Sequence, residues 1–280
     1  MSAAPERVEL PPFPAGKRLA VTTSWDDGTV HDRPLVAALN KLGIKGTFNL
    51  NSGSLGRDPN PAWKPYIQKS EVATLYAGHE VAVHTVTHPW LDRLDTAQIV
   101  REVMEDRLAL EDLVGYPVRG MAYPFGTYNR QVIDALRACG IVYSRTVENR
   151  DNPWPPVEPL AWPATCHVFA PDLVERFLAF RQSYVARNAG GLFFVWGHAY
   201  EFDDRKDWPG VERIFTPLAG LADVWYCTNM QLFEYEAARQ RLVVAANRCT
   251  AHNPSALTVT VRAGGRSIDV PPGQTVRLDA

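Results

Sequence analysis

Asp26 and Asp27 stand side by side in Ser24-Trp25-Asp26-Asp27-Gly28, and His84 and His88 stand four apart in His84-Thr85-Val86-Thr87-His88. Each run follows an apolar stretch. Two imidazoles and one carboxylate can hold a divalent metal and leave a position open for water. The other carboxylate of the pair is then free to act as a base, which completes the inventory for metal-assisted hydrolysis. His198 closes a third apolar run, Leu192-Phe193-Phe194-Val195-Trp196-Gly197, and Tyr123-Pro124-Phe125-Gly126 closes a fourth. Singly, each motif has a plain explanation: Asp-Asp-Gly makes turns, and His-x-x-x-His decorates surfaces. Their joint occurrence at the ends of apolar runs is harder to explain that way.

The elements that carry these residues alternate. Strands are expected at Leu19–Trp25, Ile44–Leu50, Glu80–His84, Val118–Tyr123, Gly140–Ser144, Leu192–Trp196 and Val224–Cys227. Helices are expected at Arg33–Leu42, Ser70–Tyr76, Asn129–Ala138, Pro171–Arg187 and Val211–Leu221. Ile99, Val103, Leu110 and Val114 recur at helical spacing after Asp95-Thr96-Ala97-Gln98, which has the form of a capping box. Thr228-Asn229-Met230-Gln231 starts a last helix in the same way. Strands separated by helices imply a parallel sheet with helices outside. Seven or eight such units close into an α/β barrel, whose chemistry gathers at the C-terminal strand ends. Arg150–Pro163, with five prolines and two tryptophans, reads as a loop.

The expected organisation is an N-terminal extension over 1–17, a (β/α) barrel over 18–240 and a small antiparallel β appendage over 241–280. The appendage is expected from the alternation in Leu257-Thr258-Val259-Thr260-Val261 and from the turn Pro271-Pro272-Gly273. A structural or oligomer-contact role is expected for it. A formal charge of −2 gives no reason to expect a nucleic-acid or anionic-membrane partner. No apolar run is long enough to span a bilayer. The polar, proline-rich start lacks the apolar core of a secretion signal, so a cytoplasmic location is expected. Four cysteines without a CxxC pair fit reduced thiols.

The motifs resemble those of the polysaccharide deacetylase family (carbohydrate esterase family 4, the NodB-homology domain) over about residues 18 to 235. Ser24–Gly28 resembles its first motif, His84–His88 its second, Pro124-Phe125-Gly126 its third, and the apolar run ending in His198 its fifth. The resemblance implies a distorted (β/α) barrel of about seven strands and a hydrolase of carbon–nitrogen bonds other than peptide bonds. It implies Asp27, His84 and His88 as ligands of Zn²⁺ or another divalent transition metal. It implies Asp26 as base, His198 as acid and the backbone N–H of Phe125 as an oxyanion donor, with Tyr123 and Pro124 beside the substrate.

Two motifs depart from the family. The arginine that usually orients the base is replaced by Ala122, and either Arg145 or Arg119 is a substitute, with Arg145 preferred for its place after the next strand. The fourth motif has no clean match; Asp151 with Trp154 and Asp207 with Trp208 are candidates, and Trp154, Trp162 or Trp208 could stack on a sugar ring. Glu201, Asp203 and Asp204, which closely follow His198, are weaker candidates to position it or the substrate, and His31 and His167 are weaker candidates to line the cleft. The expected reaction is removal of N-acetyl groups from a small amino-sugar or oligosaccharide. Hydrolysis of a cyclic imide, formamide or O-acetyl ester of a small acylated molecule is the second reading. A catalytically silent carbohydrate-binding relative is the third.

Overall fold

The computed structural model describes residues 7–57, 64–150, 154–183 and 190–279 of the 280-residue chain. After a short β1 (Val8–Glu9), the chain lays down β2 (Leu19–Asp26), β3 (Gly46–Leu50), β4 (Glu80–Val83), β5 (Gly120–Ala122) and β6 (Tyr143–Asn149). Next come β7 (Trp162–Ala164), β8 (Cys166–His167), β9 (Gly191–Gly197) and β10 (Val224–Tyr226). β2 to β6 pair in sequence order and in parallel, and β9 pairs with the other edge of β2. β7 bonds β6 while β8 bonds β9. The two are pieces of one chain path broken at Thr165, whose N–H donates to Phe194 O at 2.8 Å. That path closes the ring into a distorted seven-stave barrel, and β10 fills in beside the first three residues of β2.

The closing stave is a correction to the sequence reading, which ended its loop at Pro163. Trp162-Pro163-Ala164 has neither length nor alternation to announce a strand; it is one because β6 and β9 present edges on both sides of it. β6 also runs further than expected, to Asn149, and the helix expected from Pro171 is seen at Leu173–Gln182. Its expected end, Arg187, lies outside the described residues.

Every residue of β2 is buried, so its two faces can be read from their neighbours. Val21 and Trp25 face the outer apolar layer, which also holds Leu35, Val36 and Leu39 of the helix Asp32–Leu42, and Trp25 meets Phe202 and Phe215. The period-2 pleat then turns Thr22, Ser24 and Asp26 into the barrel. The lower interior is aromatic: Trp162 meets Phe194 at 4.5 Å and Phe233 at 5.1 Å between ring centroids. The upper interior is polar and leads to the strand ends that carry the motifs.

The helix Thr96–Val114 starts with the expected reciprocal cap. Gln98 N–H donates to Asp95 at 2.8 Å, and Asp95 N–H donates to Gln98 at 3.1 Å. The last helix, Asn229–Arg241, is capped likewise by Thr228 and Gln231. The tail forms β11 (Val243–Val244), β12 (Thr250–His252), β13 (Val259–Ala263), β14 (Arg266–Val270) and β15 (Thr275–Arg277), arranged as two three-stranded antiparallel sheets, β1-β13-β14 and β11-β12-β15. β1 ties the start of the chain to the tail, and Phe13 is fully buried against Trp225. No described helix is long and apolar enough to cross a membrane.

Candidate active site

Asp27, His84 and His88 converge. The Oδ1 of Asp27 lies 3.6 Å from Nε2 of His84 and 3.6 Å from Nε2 of His88, a spacing at which one ion can touch all three. His84 is prepared for that duty. Its Nδ1 is 2.8 Å from Ala122 O, which can only accept, so Nδ1 carries the proton and Nε2 is left bare. Burial pulls its pKa down to about 4, which keeps the ring neutral. Two imidazoles and one carboxylate suit a divalent transition ion.

The loops that aim these side chains are strained. Asp27, Thr85, His88 and Phe125 have φ of +82°, +70°, +59° and +57°, four of the seven non-glycine residues in that region among those described. Such conformations persist where the surroundings over-determine them. Here Asn51 Nδ2 donates to both His84 O and Thr85 O. Asp106 accepts the N–H groups of His84 at 3.0 Å and of Ser52 at 2.7 Å. Thr85 Oγ1 accepts His88 N–H at 3.1 Å. Gly28 turns the chain after the carboxylates, at φ +65° with Leu50 too close for a side chain.

Asp26 points inward beside the ligands and is held from two sides. Asn49 donates to its Oδ1 at 2.8 Å, and Arg145 Nη2 donates to Oδ2. Arg145 is wholly buried, its Nε lies 3.3 Å from Ser24 Oγ, and its guanidinium sits 4.6 Å from the Trp196 ring centre. Burial would raise the Asp26 pKa, but Arg145, His84 and His198 together hold it well below the usual carboxylate range. Of the two candidate arginines, Arg145 therefore reaches Asp26. Arg119 lies before β5, at the opposite end of the barrel, beside Met230 and Phe233.

His198 faces Asp26 across 3.9 Å. Its Nδ1 and its backbone N–H approach Glu201 Oε2 at 3.1 and 2.9 Å. Burial lowers the imidazole pKa, but the Glu201 bond and the Asp26 and Asp27 charges outweigh it, and the net direction is up.

The remaining candidates divide. Phe125 is 44% exposed, edge-on to His88 at 4.5 Å and stacked on Trp90 at 3.8 Å. Tyr123 and Pro124 were expected beside substrate but are buried. The Tyr123 hydroxyl donates to Leu160 O, so the pair supports the Phe125 turn from beneath. Trp154 is a second correction. It packs on Trp162 at 5.8 Å and Phe233 at 5.1 Å. Phe233 belongs to the helix whose Met230 N–H bonds Glu80, the first residue of β4, so Trp154 lies away from the ligands. A lone tryptophan in a proline-rich loop gave no sign of which barrel end it would plug. Trp208 lies on the site's side of the barrel, against His31 and Phe202, with its indole N–H on Asp203. Asp151 lies outside the described residues.

The family model described as polysaccharide deacetylase matches residues 14–144, the stretch that carries Asp26, Asp27, His84, His88 and Phe125. Over those residues, a little under half of its length, the chain is similar to the polysaccharide deacetylase family. A peptidoglycan-N-acetylglucosamine deacetylase of Listeria monocytogenes is 28% identical over 137 residues, which is 47% of this chain and 27% of that protein. The matched part is thus about a quarter of the length of these curated relatives. A structure from Mycobacterium smegmatis, described as a candidate polysaccharide deacetylase, superposes with a TM-score of 0.62 at 19% identity, over 86% of this chain and 96% of that one. The Xyl-CE4 domain of a multidomain xylanase from the hindgut metagenome of Trinervitermes trinervoides gives 0.50 at 16% identity, over 79% and 92%. At these identities the structural likenesses establish the distorted barrel and nothing finer.

Proposed function

We propose that this chain is a member of the polysaccharide deacetylase family and a metal-dependent hydrolase that removes N-acetyl groups from an amino-sugar or oligosaccharide. The observation that carries the reading is the placement of an Arg-held carboxylate, Asp26, and a Glu-held imidazole, His198, beside one ligand cluster, Asp27–His84–His88.

A divalent ion on those three side chains supplies Lewis acidity toward the carbonyl and lowers the pKa of water. Asp26 takes the proton of the attacking water at a carboxylate oxygen. Arg145 and Asn49 keep that carboxylate ionised and fixed in direction. The backbone N–H of Phe125, in its left-handed turn, is assigned to the oxyanion that forms on the former carbonyl oxygen. His198 gives the proton on Nε2 to the departing nitrogen, so that the C–N bond breaks to a neutral amine.

The test pairs metal content with acetate release from an N-acetylglucosamine oligomer, before and after chelation. About one ion per chain and chelator-sensitive acetate release support the reading. Bound metal without acetate release from any oligomer would overturn the N-acetyl assignment and move the search to imides, formamides and O-acetyl esters. No metal and no turnover after adding divalent ions would favour the silent carbohydrate-binding relative.

A further inference from the structure

Two clusters in this chain combine a pair of histidines with one carboxylate: Asp27–His84–His88, and His167–His198–Glu201. They share a recipe but not a proton pattern. At His84, Nδ1 faces a carbonyl oxygen, so the nitrogen aimed at the cluster is bare. At His167 the polarity is reversed. Its Nδ1 lies 3.2 Å from the backbone nitrogen of Phe169, an N–H that can only donate, so Nδ1 must offer its lone pair. The proton of the neutral ring is then on Nε2, which lies 3.0 Å from Glu201 Oε2 and donates to it. A cation would need that nitrogen bare. The second cluster is therefore wired for hydrogen bonds.

Glu201 Oε2 gathers three donors: His167 Nε2–H, His198 Nδ1–H and the His198 backbone N–H at 2.9 Å. We infer that His167 and Glu201 are a positioning pair that fixes His198 with its Nδ1 proton on Glu201 and its Nε2 facing the reacting atoms. The inference rests on the reading of His198 as the proton donor. Through the step, the imidazolium loses its Nε2 proton to the leaving nitrogen and ends neutral with the proton on Nδ1. Both forms keep the bond to Glu201, so the ring need not turn. The edge of His167 against Trp196, at 4.7 Å between centroids, fixes that ring as well. His167 and Glu201 reach the site from two elements: β8, on the closing stave, and the short helix Tyr200–Asp204 that follows β9.

The test uses the full chain, zinc-loaded and ¹⁵N-labelled at histidine, with Glu201→Ala, His167→Leu and His167→Gln. Gln keeps an N–H donor where Leu has none. In the wild type, neutral His198 should carry its proton on Nδ1, and Glu201→Ala should move that proton to Nε2. Glu201→Ala should lose on the order of 10²-fold in kcat/KM on an N-acetyl amide, with far less loss on an aryl acetate, whose leaving group needs no proton. His167→Leu should follow the same pattern more weakly, and His167→Gln should restore it. An unchanged His198 tautomer in Glu201→Ala, or equal losses on amide and ester, would overturn the inference. So would a second equivalent of bound zinc that His167→Leu abolishes. If the wild type hydrolyses no N-acetyl sugar, the tautomer still decides the positioning pair, so the two readings fail separately.

Discussion

Arg145 is the residue on which the charge state of Asp26, the proposed base, depends, and the dependence can be measured without substrate. Replacing it with Met keeps much of its volume and removes the charge. Asp26 would then sit buried, bonded to Asn49 but with no cation against Oδ2. At hydrogen-bond contact, roughly 3 Å, and an effective dielectric near 20, the lost attraction is about 5 kcal/mol. Breaking a buried pair by removing one partner costs about 3–5 kcal/mol in comparable cases. Arg145→Met should therefore lower the unfolding free energy by about 3–5 kcal/mol at neutral pH in chelator-treated protein. Asp26→Asn in the same chain should recover all but about 1 kcal/mol, because the stranded charge is gone.

The pH dependence should change sign with the same substitution. In the wild type the Asp26 pKa is held below its ordinary value of 3.8, so its contribution is present above that value and is lost as pH falls through the folded one. In Arg145→Met burial dominates and raises the pKa, so stability should instead fall as pH rises past about 4. Urea unfolding of the four proteins of the cycle, over a pH series, reads both effects. A loss below about 1 kcal/mol in Arg145→Met, or strictly additive variants, would refute the claim that this pair sets the base.

Asp26→Asn should abolish acetate release while leaving the metal bound, checked by turnover and metal analysis of one preparation; full activity would remove Asp26 as the base. His84→Ala should lose the ion, and retention at full stoichiometry would disprove the ligand set. Glu80, buried under Tyr143, Met230 and Thr47, has its pKa raised by burial from 4.5 to about 6. Its contribution to stability is complete below its unfolded value and lost as pH rises through about 6, a span worth about 2 kcal/mol. The difference in stability between wild type and Glu80→Gln should vary by that amount across this window and be flat above it. Asp95→Ala should cost about 1 kcal/mol through loss of the reciprocal cap on Thr96–Val114, seen as a lower unfolding midpoint.

Residue type and spacing alone made the convergence of Asp27, His84 and His88 and the barrel legible. Carboxylates and imidazoles at the ends of apolar runs need little context, because parallel strands of a closed sheet deliver their C-terminal ends to one rim. The capping boxes at Asp95 and Thr228 were legible for a similar reason: a cap is satisfied within four residues. Asp106 was open to reading and was missed. It stands on the buried face that carries Ile99, Val103 and Leu110, a charge inside an apolar stripe, and it braces His84 and Ser52. Asn49 was also within reach, since alternation along Gly46–Leu50 places it opposite Asp26 in register.

Other features had no local signature. Arg145 and Arg119 looked much alike in the sequence. Which one met Asp26 was decided by which barrel end each side chain faced, a property of strand phase and closure. The closing stave at Trp162–His167 became a strand through edges supplied by residues far along the chain. Trp154 went to the aromatic floor because the barrel left a space there. His167 acquired its place because the closing stave set it beside Glu201, and its proton pattern came from one backbone N–H two residues on. Residue types and their order along the chain were enough to say which groups have the chemistry to bind an ion and move protons. The tertiary structure decided which charge each group faces and which nitrogen holds the proton, because those depend on contacts between residues the chain keeps far apart.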